Sequence, residues 1–249
     1  GQKVLFEKNT IIYSEGSINF NGSDNEPILL QGTKFNAIVQ SGKVFKAKNV
    51  IISNLNPPKF ENRILYSGIN IINSDADFYN VIFKNIISED AVNLINSKST
   101  FKNVNFVNIS SDAIDVDFGK FTFNKISCQN VLNDCLDVSG ASVSGKYLLG
   151  NNVKDKVLSA GENANIKIVN FVSEDSNVGV AAKDFSTVSI SNGLIKNNNI
   201  AGASFIKKQE WGPAKLYIKN VKFENNSKKF LLGKTSELKV NNNFFSTRK

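Results

Sequence analysis

The sequence has 249 residues, 41% of them hydrophobic, which is enough to bury a substantial core, but it has no apolar run long enough to cross a bilayer as a helix. It contains no histidine and only two cysteines, which excludes Ser-His-Asp and Cys-His nucleophiles, histidine-ligated metals and four-cysteine zinc sites. The 30 basic and 22 acidic residues give a formal net charge of +8, which indicates either attraction to polyanions or a lysine-rich surface that keeps a repetitive protein soluble.

Residues 1–45 are interpreted as an N-terminal cap with the first coils of a repetitive fold, because short apolar runs alternate there with turn-forming residues. The chain begins Gly-Gln without a signal-peptide apolar segment, so we interpret it as a processed or excised piece. Two proline-containing segments, 54–58 and 209–213, are predicted loop insertions. We therefore expect one domain over 1–249, with coils over 46–227 and a C-terminal coil or cap over 228–249.

A repeat of 22 residues organises the middle of the chain. Residues 88–94 recur as 110–116, 132–138 and 154–160 without a gap, and a fixed short period of this kind is typical of a solenoid. Within each repeat, apolar and polar residues alternate with the period of a strand, and no helical spacing competes. This predicts an all-β fold, a single-domain right-handed parallel β-helix with coils of about 22 residues that stack about 4.8 Å apart.

Asparagine is unusually common, with 37 residues, and Asn108, Asn130 and Asn152 fall in phase near the ends of the repeats. Because asparagine tolerates left-handed backbone and its amide can bond along a stack, we predict structural ladders at the corners. The in-phase phenylalanines and isoleucines are predicted to form the core.

The strand alternation also predicts an outward-facing polar column. If Ile114 and Val116 face the core, Asp115 and Asp117 face outward, and Asp137 lies over Asp115 one coil later. Like charges at this spacing repel each other, so they call for a cation, a metal or a function. We take Asp115 and Asp137 as a candidate catalytic acid–base pair, since repulsion would raise one pKa and leave a protonated donor beside an ionised base.

Other polar residues predicted on the same side are candidate substrate-binding residues. The lysines among them would bind sugar carboxylates or sulfates, and the tryptophan would either stack on a sugar ring or plug the last coils. These candidates are Asp112, Asp117, Asp134, Lys156, Glu162, Lys183, Asp184, Lys207, Lys208, Glu210 and Trp211. The aspartate columns could also hold calcium, a hard cation that prefers oxygen ligands, and no other cofactor or metal is expected.

Structural explanations stay open for the aspartates. Asp90, Asp112 and Asp134 can cap corners by accepting backbone N–H bonds, as short carboxylates do in turns. Asp115 and Asp137 can instead pair with neighbouring lysines on a solvated surface.

The two cysteines, Cys128 and Cys135, fall at different phases of the repeat, and Cys135 takes the place of the small residue Ala113. A disulfide would require their Cα atoms to lie within about 7 Å of each other. We expect free buried thiols.

Residues 112–117, 133–140 and 161–164 resemble bacterial right-handed parallel β-helix repeat proteins of the pectin-lyase-like superfold, and residues 6–11, followed by 26–28, are similar to the first coils of such proteins. The arrangement also resembles β-helix modules attached to CotH-type kinase-like domains of secreted bacterial proteins. The resemblance implies an extracellular, cell-surface or periplasmic protein, with other domains as partners in a longer chain. It implies the fold more strongly than the activity, because this fold hosts lyases, hydrolases and inert spacers.

Two enzymatic versions follow from the resemblance. Polygalacturonase-like relatives place catalytic aspartates on adjacent coils of one face, as predicted for Asp115 and Asp137, but the histidine of that family has no counterpart here. Pectate-lyase-like relatives use calcium and an arginine base, whereas Arg63 and Arg248 lie outside the acidic repeats. We therefore expect a glycan-binding or accessory module for an acidic polysaccharide, ahead of a polysaccharide hydrolase or lyase and of a spacer or assembly element. No arginine-rich stripe or known motif favours a nucleic-acid partner.

Overall fold

The computed structural model describes residues 1–57 and 67–247, so Arg63, Arg248 and the last residue of the first predicted loop insertion lie outside the described residues. Within them no helix is present, and all of the strands belong to one hydrogen-bonded set. The strands are β1 (Lys3–Leu5), β2 (Ile11–Ser14), β3 (Ile18–Asn21), β4 (Ile28–Gln31), β5 (Ala37–Ser41), β6 (Val44–Ser53), β7 (Ser67–Ile72), β8 (Asp75–Ile86), β9 (Asp90–Ile109), β10 (Asp112–Val131), β11 (Leu136–Ser139), β12 (Ser142–Val153), β13 (Lys156–Gly161), β14 (Asn165–Glu174), β15 (Val178–Lys183), β16 (Thr187–Lys196), β17 (Ile200–Phe205), β18 (Lys215–Glu224), β19 (Lys228–Leu232), β20 (Glu237–Val240) and β21 (Asn243–Ser246).

Apart from the antiparallel pair β20–β21, the strands stack in parallel as about ten coils, which confirms the predicted parallel β-helix. Ile114 pairs with Leu136, Leu136 with Leu158, and Leu158 with Val180, so the register advances by 22 residues per coil in this part of the chain. Three sheets run along the solenoid. The first sheet contains β7, the start of β9 and β10, then β11, β13, β15 and β17. The second sheet contains the start of β6, β8, β12, β14, β16 and β18, the middle of β9 and β10, and β20. The third sheet contains the C-terminal parts of β6, β8, β9, β10, β12, β14, β16 and β18.

A continuous apolar core extends along the axis from Phe6 to Val240. Strand alternation turns every second side chain toward the core, so apolar residues stack coil over coil. Phe83 and Phe106, for example, have ring centroids 4.7 Å apart and nearly parallel ring planes. Such ring pairs add about 0.5–1.5 kcal/mol each to the burial of their area. Most of the predicted core phenylalanines and isoleucines are buried, but Phe118 and Phe185 are 54% and 49% exposed, and Ile82, Ile87, Ile206, Phe244 and Phe245 are exposed as well.

The predicted asparagine ladder is present at a corner. Asn108, Asn130 and Asn152 have φ between 55° and 57°, the left-handed region that asparagine tolerates. The Asn130 side-chain amide donates to Asn108 Oδ1 at 3.0 Å, and the Asn152 amide donates to Asn130 Oδ1 at 2.8 Å. Each asparagine therefore closes a turn and bonds to the next coil.

The expectation of free thiols is wrong, because Cys128 and Cys135 form a disulfide. Cys128 lies near the end of β10 and Cys135 immediately before β11, and the corner between them brings their Cα atoms to 5.8 Å. The two residues occupy different positions of the 22-residue repeat, so the repeat alone does not predict their contact. The turn between β10 and β11 brings them together. Both residues are buried.

Candidate functional site

An outward column of polar side chains crosses the first sheet. Asn93 on β9, Asp115 on β10, Asp137 on β11 and Ser159 on β13 are successive register partners. Their sequence neighbours face the core, so these four side chains face away from it. We call this surface, together with Asp90, Asp112, Asp117 and Asp134 around the column, the acidic face. Asp115 and Asp137 are thus neighbours, as their spacing of 22 predicts.

The column occupies a recessed floor. Ser159, Ala181 and Ala203 continue it on β13, β15 and β17, and they are 0%, 1% and 3% exposed although they point away from the core. Ala181 and Ala203 belong to a small apolar cluster outside the main core, with Val178. Larger side chains on either side must therefore cover this line of small residues.

The corner aspartates have structural partners. Asp112 Oδ1 accepts a hydrogen bond from the Asp134 backbone N–H at 2.6 Å, and Asp134 Oδ1 accepts one from the Lys156 N–H at 2.8 Å. Asp90 Oδ2 accepts a bond from the Ser67 hydroxyl at 2.7 Å. Each bond joins one coil to the next, so the corner-capping interpretation describes Asp112 and Asp134.

Asp115, Asp117 and Asp137 are different, because no described lysine or arginine lies within 4 Å of their carboxylates. The pairing of Asp115 and Asp137 with neighbouring lysines is therefore absent from the described residues. Asp115 has one long contact, from the Asn93 side-chain amide at 3.4 Å, and Asp137 Oδ1 accepts the Val138 N–H at 3.0 Å.

This environment favours protonated carboxyl groups. Burial, followed by the negative charge of Asp117, raises the pKa of Asp115 to about 9. Burial also raises the pKa of Asp112 to about 8, against the opposing effect of its hydrogen bond from Asp134. The pKa of Asp117 is raised by burial and by the charge of Asp137. Asp115 therefore keeps its proton at neutral pH, beside the carboxyl group of Asp137.

The corner aspartates titrate lower than Asp115. Burial raises the pKa of Asp90 to about 6, although the hydrogen bond from Ser67 opposes it. Burial likewise raises the pKa of Asp134 to about 6, where the positive charge of Lys156 opposes it. The face thus contains carboxyl groups that differ in protonation state at one pH, as acid–base sites do.

Of the four lysines predicted to bind an acidic sugar, Lys156 and Lys208 form ion pairs and Lys183 is buried. Lys156 Nζ lies 3.2 Å from Asp134 Oδ1 and also forms an ion pair with Asp155. Burial alone would lower the pKa of Lys156, but these two carboxylates together raise it above its usual value. Lys183 is only 7% exposed, and burial lowers its pKa. Lys208 forms an ion pair with Glu162.

The rim beside the column is a corner of left-handed residues. Phe118, Gly140, Glu162 and Asp184 lie one coil apart, with φ between 52° and 64°. Asp184 is buried, and its Oδ1 accepts the backbone N–H groups of Lys207 and Lys208 at 2.7 and 2.9 Å. Asp184 therefore holds the loop between β17 and β18 against this rim and is no free ligand for a sugar.

Two exposed phenylalanines join Trp211 along the rim. The Phe185 ring lies 6.2 Å from the Trp211 ring in an edge arrangement, and the Phe185 N–H donates to the Gly212 carbonyl. The Phe118 ring lies so close to Gly140 that a Cβ there would fall 2.7 Å from it. Each ring thus packs on a glycine and leaves about half of its surface open.

The sequence prediction left several residues of this face out of the candidate site. Ser159 Oγ and Asn93 Oδ1 are buried without a hydrogen-bond partner, and the sequence signal for both is their position in the 22-residue register of Asp115. Phe118 and Phe185 carry no such signal, because their types indicate the core. Lys207 and Glu210 are exposed on the loop between β17 and β18.

The predicted calcium site receives no support from the donor geometry. Within residues 1–57 and 67–247, no three acidic or cysteine side chains are arranged to hold a metal ion. Nor does this part of the chain contain a helix that could span a membrane.

Comparison with protein families and with curated proteins finds no match to the sequence. Among solved structures, the fold is similar to the catalytic domain of a GH87 alpha-1,3-glucanase in complex with nigerose, with a TM-score of 0.50 and 12% identity over 93% of this chain. A variant of that domain with one aspartate replaced by alanine, also in complex with nigerose, aligns with a TM-score of 0.52 and 12% identity. The present chain covers 56% of either neighbour, and the likeness concerns the fold.

Proposed function

We propose that the acidic face binds a polysaccharide laid across several coils. The observation that carries the proposal is the row of carboxyl groups at Asp115, Asp117 and Asp137, which form no ion pair with a described residue. Carboxyl oxygens accept hydrogen bonds from sugar hydroxyls, which would add partners to groups that have few hydrogen bonds and no described cation beside them. The unpartnered Ser159 Oγ and Asn93 Oδ1 would bond in the same way.

The rim supports the same proposal. Half-exposed Phe118 and Phe185 and partly exposed Trp211 offer apolar ring surface beside polar groups, a combination that suits the mixed surface of a sugar ring. The recessed line of Ser159 and Ala181 would admit an extended chain rather than a globular partner.

We propose a neutral glycan at this face. A carboxylated or sulfated polymer would meet several carboxyl groups there, while Lys156 and Lys208 are neutralised by their own acidic partners. The expectation of an acidic polysaccharide at these same residues stays a prediction, and the neutral glycan is proposed in its place.

Glycoside hydrolysis is the second candidate. A protonated Asp115 next to Asp137 offers a general acid and a second carboxyl group on adjacent coils, the two kinds of group that most glycosidases use. The structural neighbours are glucanase catalytic domains, which is consistent with a carbohydrate role for this fold. We also propose a location outside the cytoplasm, because the Cys128–Cys135 disulfide requires an oxidising compartment.

Binding and turnover of neutral oligosaccharides, α-1,3-linked glucose oligomers among them, test the proposal. The protein should bind in calorimetry, and the double variant Asp115→Asn/Asp137→Asn should lose at least tenfold in affinity. The matched control, Asp75→Asn/Asp77→Asn, makes the same two substitutions at exposed positions on the second sheet and should bind normally.

New reducing ends that vanish in the Asp115→Asn single variant would establish the hydrolase. Binding without turnover would establish the binding module. Calcium with and without chelator is a separate arm, and loss of binding on chelation would revive the calcium expectation. If neither binding nor turnover occurs with any neutral glycan, the proposal fails and the spacer interpretation replaces it.

A further inference from the structure

The outward surface of the second sheet carries a dense set of cations. Ten exposed lysines occupy its outward strand positions, against three acidic residues, Asp75, Asp77 and Glu237. We call this surface the lysine face. Its lysines are Lys46, Lys48, Lys98, Lys102, Lys120, Lys146, Lys167, Lys215, Lys219 and Lys239.

These lysines have almost no described carboxylate partners, although Lys48 lies over the Tyr79 ring and Lys146 over the Tyr147 ring. Among the described residues, Lys215 alone of this set has a carboxylate within 4 Å, from Glu237 at 3.9 Å. Lys98 and Lys120 are register partners on adjacent coils, where like charges repel each other at the strand spacing, and most of the other lysines recur along the sheet with neutral residues between them. A structural role as ion-pair partners is therefore absent, and the repulsion would be relieved by an anionic ligand that follows the coils.

The C-terminal end of this face forms a depression of about 780 Å³. Lys167 on β14, Lys219 on β18 and Lys239 on β20 line it, together with Val169 and Tyr217. Tyr217 is oriented by its hydroxyl, which donates to Glu237 Oε2 at 3.3 Å. The depression thus combines three cations with one aromatic ring and an exposed apolar side chain.

We propose that the lysine face binds an anionic polysaccharide, with this depression as its main subsite. The lysines would bind carboxylate or sulfate groups as point charges, and the Tyr217 ring would pack against a sugar. This site is separate from the acidic face, since it lies on a different sheet of the solenoid. It does not depend on the function proposed above.

The surface fits a polysaccharide better than a nucleic acid. Sequence-specific recognition of double-stranded DNA requires a helix or a two-stranded ribbon that fits into a groove, whereas this sheet has many strands. Single-stranded RNA on a sheet is held by two or three stacked aromatics, while the depression offers one, Tyr217. The cations here are lysines, and the bidentate arginine contacts favoured for phosphates and bases are absent from the described residues of this face.

Affinity chromatography and calorimetry with dextran sulfate and polygalacturonate test the proposal, with neutral dextran and a duplex DNA of about 20 base pairs as comparison ligands. The triple variant Lys167→Gln/Lys219→Gln/Lys239→Gln should lose at least tenfold in affinity for an anionic polysaccharide. The matched control, Lys8→Gln/Lys34→Gln/Lys84→Gln, removes the same charge from exposed positions elsewhere and should lose less than threefold. Both variants are checked for an unchanged unfolding midpoint.

Tyr217→Phe should bind normally and Tyr217→Ala should lose about threefold or more, which separates ring packing from charge. The Asp115→Asn/Asp137→Asn variant should bind the anionic polymer normally, so failure at one face is distinguishable from failure at the other. Equal losses in the two triple variants would mean attraction by net charge alone and would overturn the proposal. Tighter binding of the DNA than of either polysaccharide, or no binding of either polysaccharide, would also overturn it.

Discussion

Replacement of Asp115 by asparagine should stabilise the protein at neutral and alkaline pH and leave its stability nearly unchanged at pH 4. The folded state raises the pKa of Asp115 from 3.8 to about 9, mainly by burial. Below pH 4, both the folded and the unfolded chain hold the proton. As the pH rises, the unfolded chain releases it while the folded chain retains it, so the free energy of unfolding falls. Asparagine cannot ionise in either state and is free of this loss.

The magnitude follows from the two pKa values. Each pH unit between 3.8 and about 9 lowers the free energy of unfolding by about 1.4 kcal/mol, which sums to about 4 kcal/mol at pH 7. Asp115 is partly exposed, so water reduces this penalty, and we expect a gain of about 2 kcal/mol for Asp115→Asn at pH 7.

Urea unfolding of both proteins at pH 4, 5.5, 7 and 8 measures the effect. The difference between variant and wild type should increase steadily with pH. The wild type itself should be more stable at pH 5 than at pH 8, because burial also raises the pKa of Asp112 to about 8. Asp77→Asn, at an exposed position of the lysine face, is the control and should show no such trend. A variant less stable than wild type at pH 8, or a difference independent of pH, would refute the reasoning.

Two further predictions concern the framework. Removal of the disulfide by Cys128→Ala/Cys135→Ala should lower the free energy of unfolding by about 2 kcal/mol, since the bond closes a loop with a sequence separation of 7; an unchanged denaturation midpoint would contradict this. Asn130→Ala should lower the free energy of unfolding by about 2 kcal/mol, because alanine disfavours the φ of 56° and two ladder hydrogen bonds are lost. Asn130→Gly should lower it by about half as much in urea unfolding, and equal losses would show that the backbone conformation does not matter there.

The fold could be predicted from the sequence because the same pattern of apolar and polar residues recurs in successive coils of the solenoid. One coil of alternating residues would be ambiguous, but the pairing of Ile114, Leu136 and Leu158 follows from three equivalent positions 22 residues apart. The same arithmetic placed Asp137 beside Asp115 and predicted the stack of Asn130 on Asn108.

The repeat does not predict contacts that depend on how the chain bends at the corners of a coil. The period says which residues lie one above another, but not how the chain bends within a coil, so the contact of Cys128 with Cys135 was missed. The exposure of Phe118 follows from its left-handed backbone at a corner, a conformation that the residue type argues against. The engagement of Lys156 by Asp134 and Asp155 likewise depends on side-chain reach at the corner.

The register of 22 residues, kept from β9 to β17 in the first sheet, has a consequence for how this molecule can change in size. Each coil contacts only the one before and the one after, so a duplicated or deleted unit of that length would fit the stack without altering the remaining contacts. Such an event would lengthen or shorten the two charged surfaces together, each by one strand width. The length of polymer that this protein can contact can therefore change by one coil at a time, while the residues of the remaining coils keep their contacts.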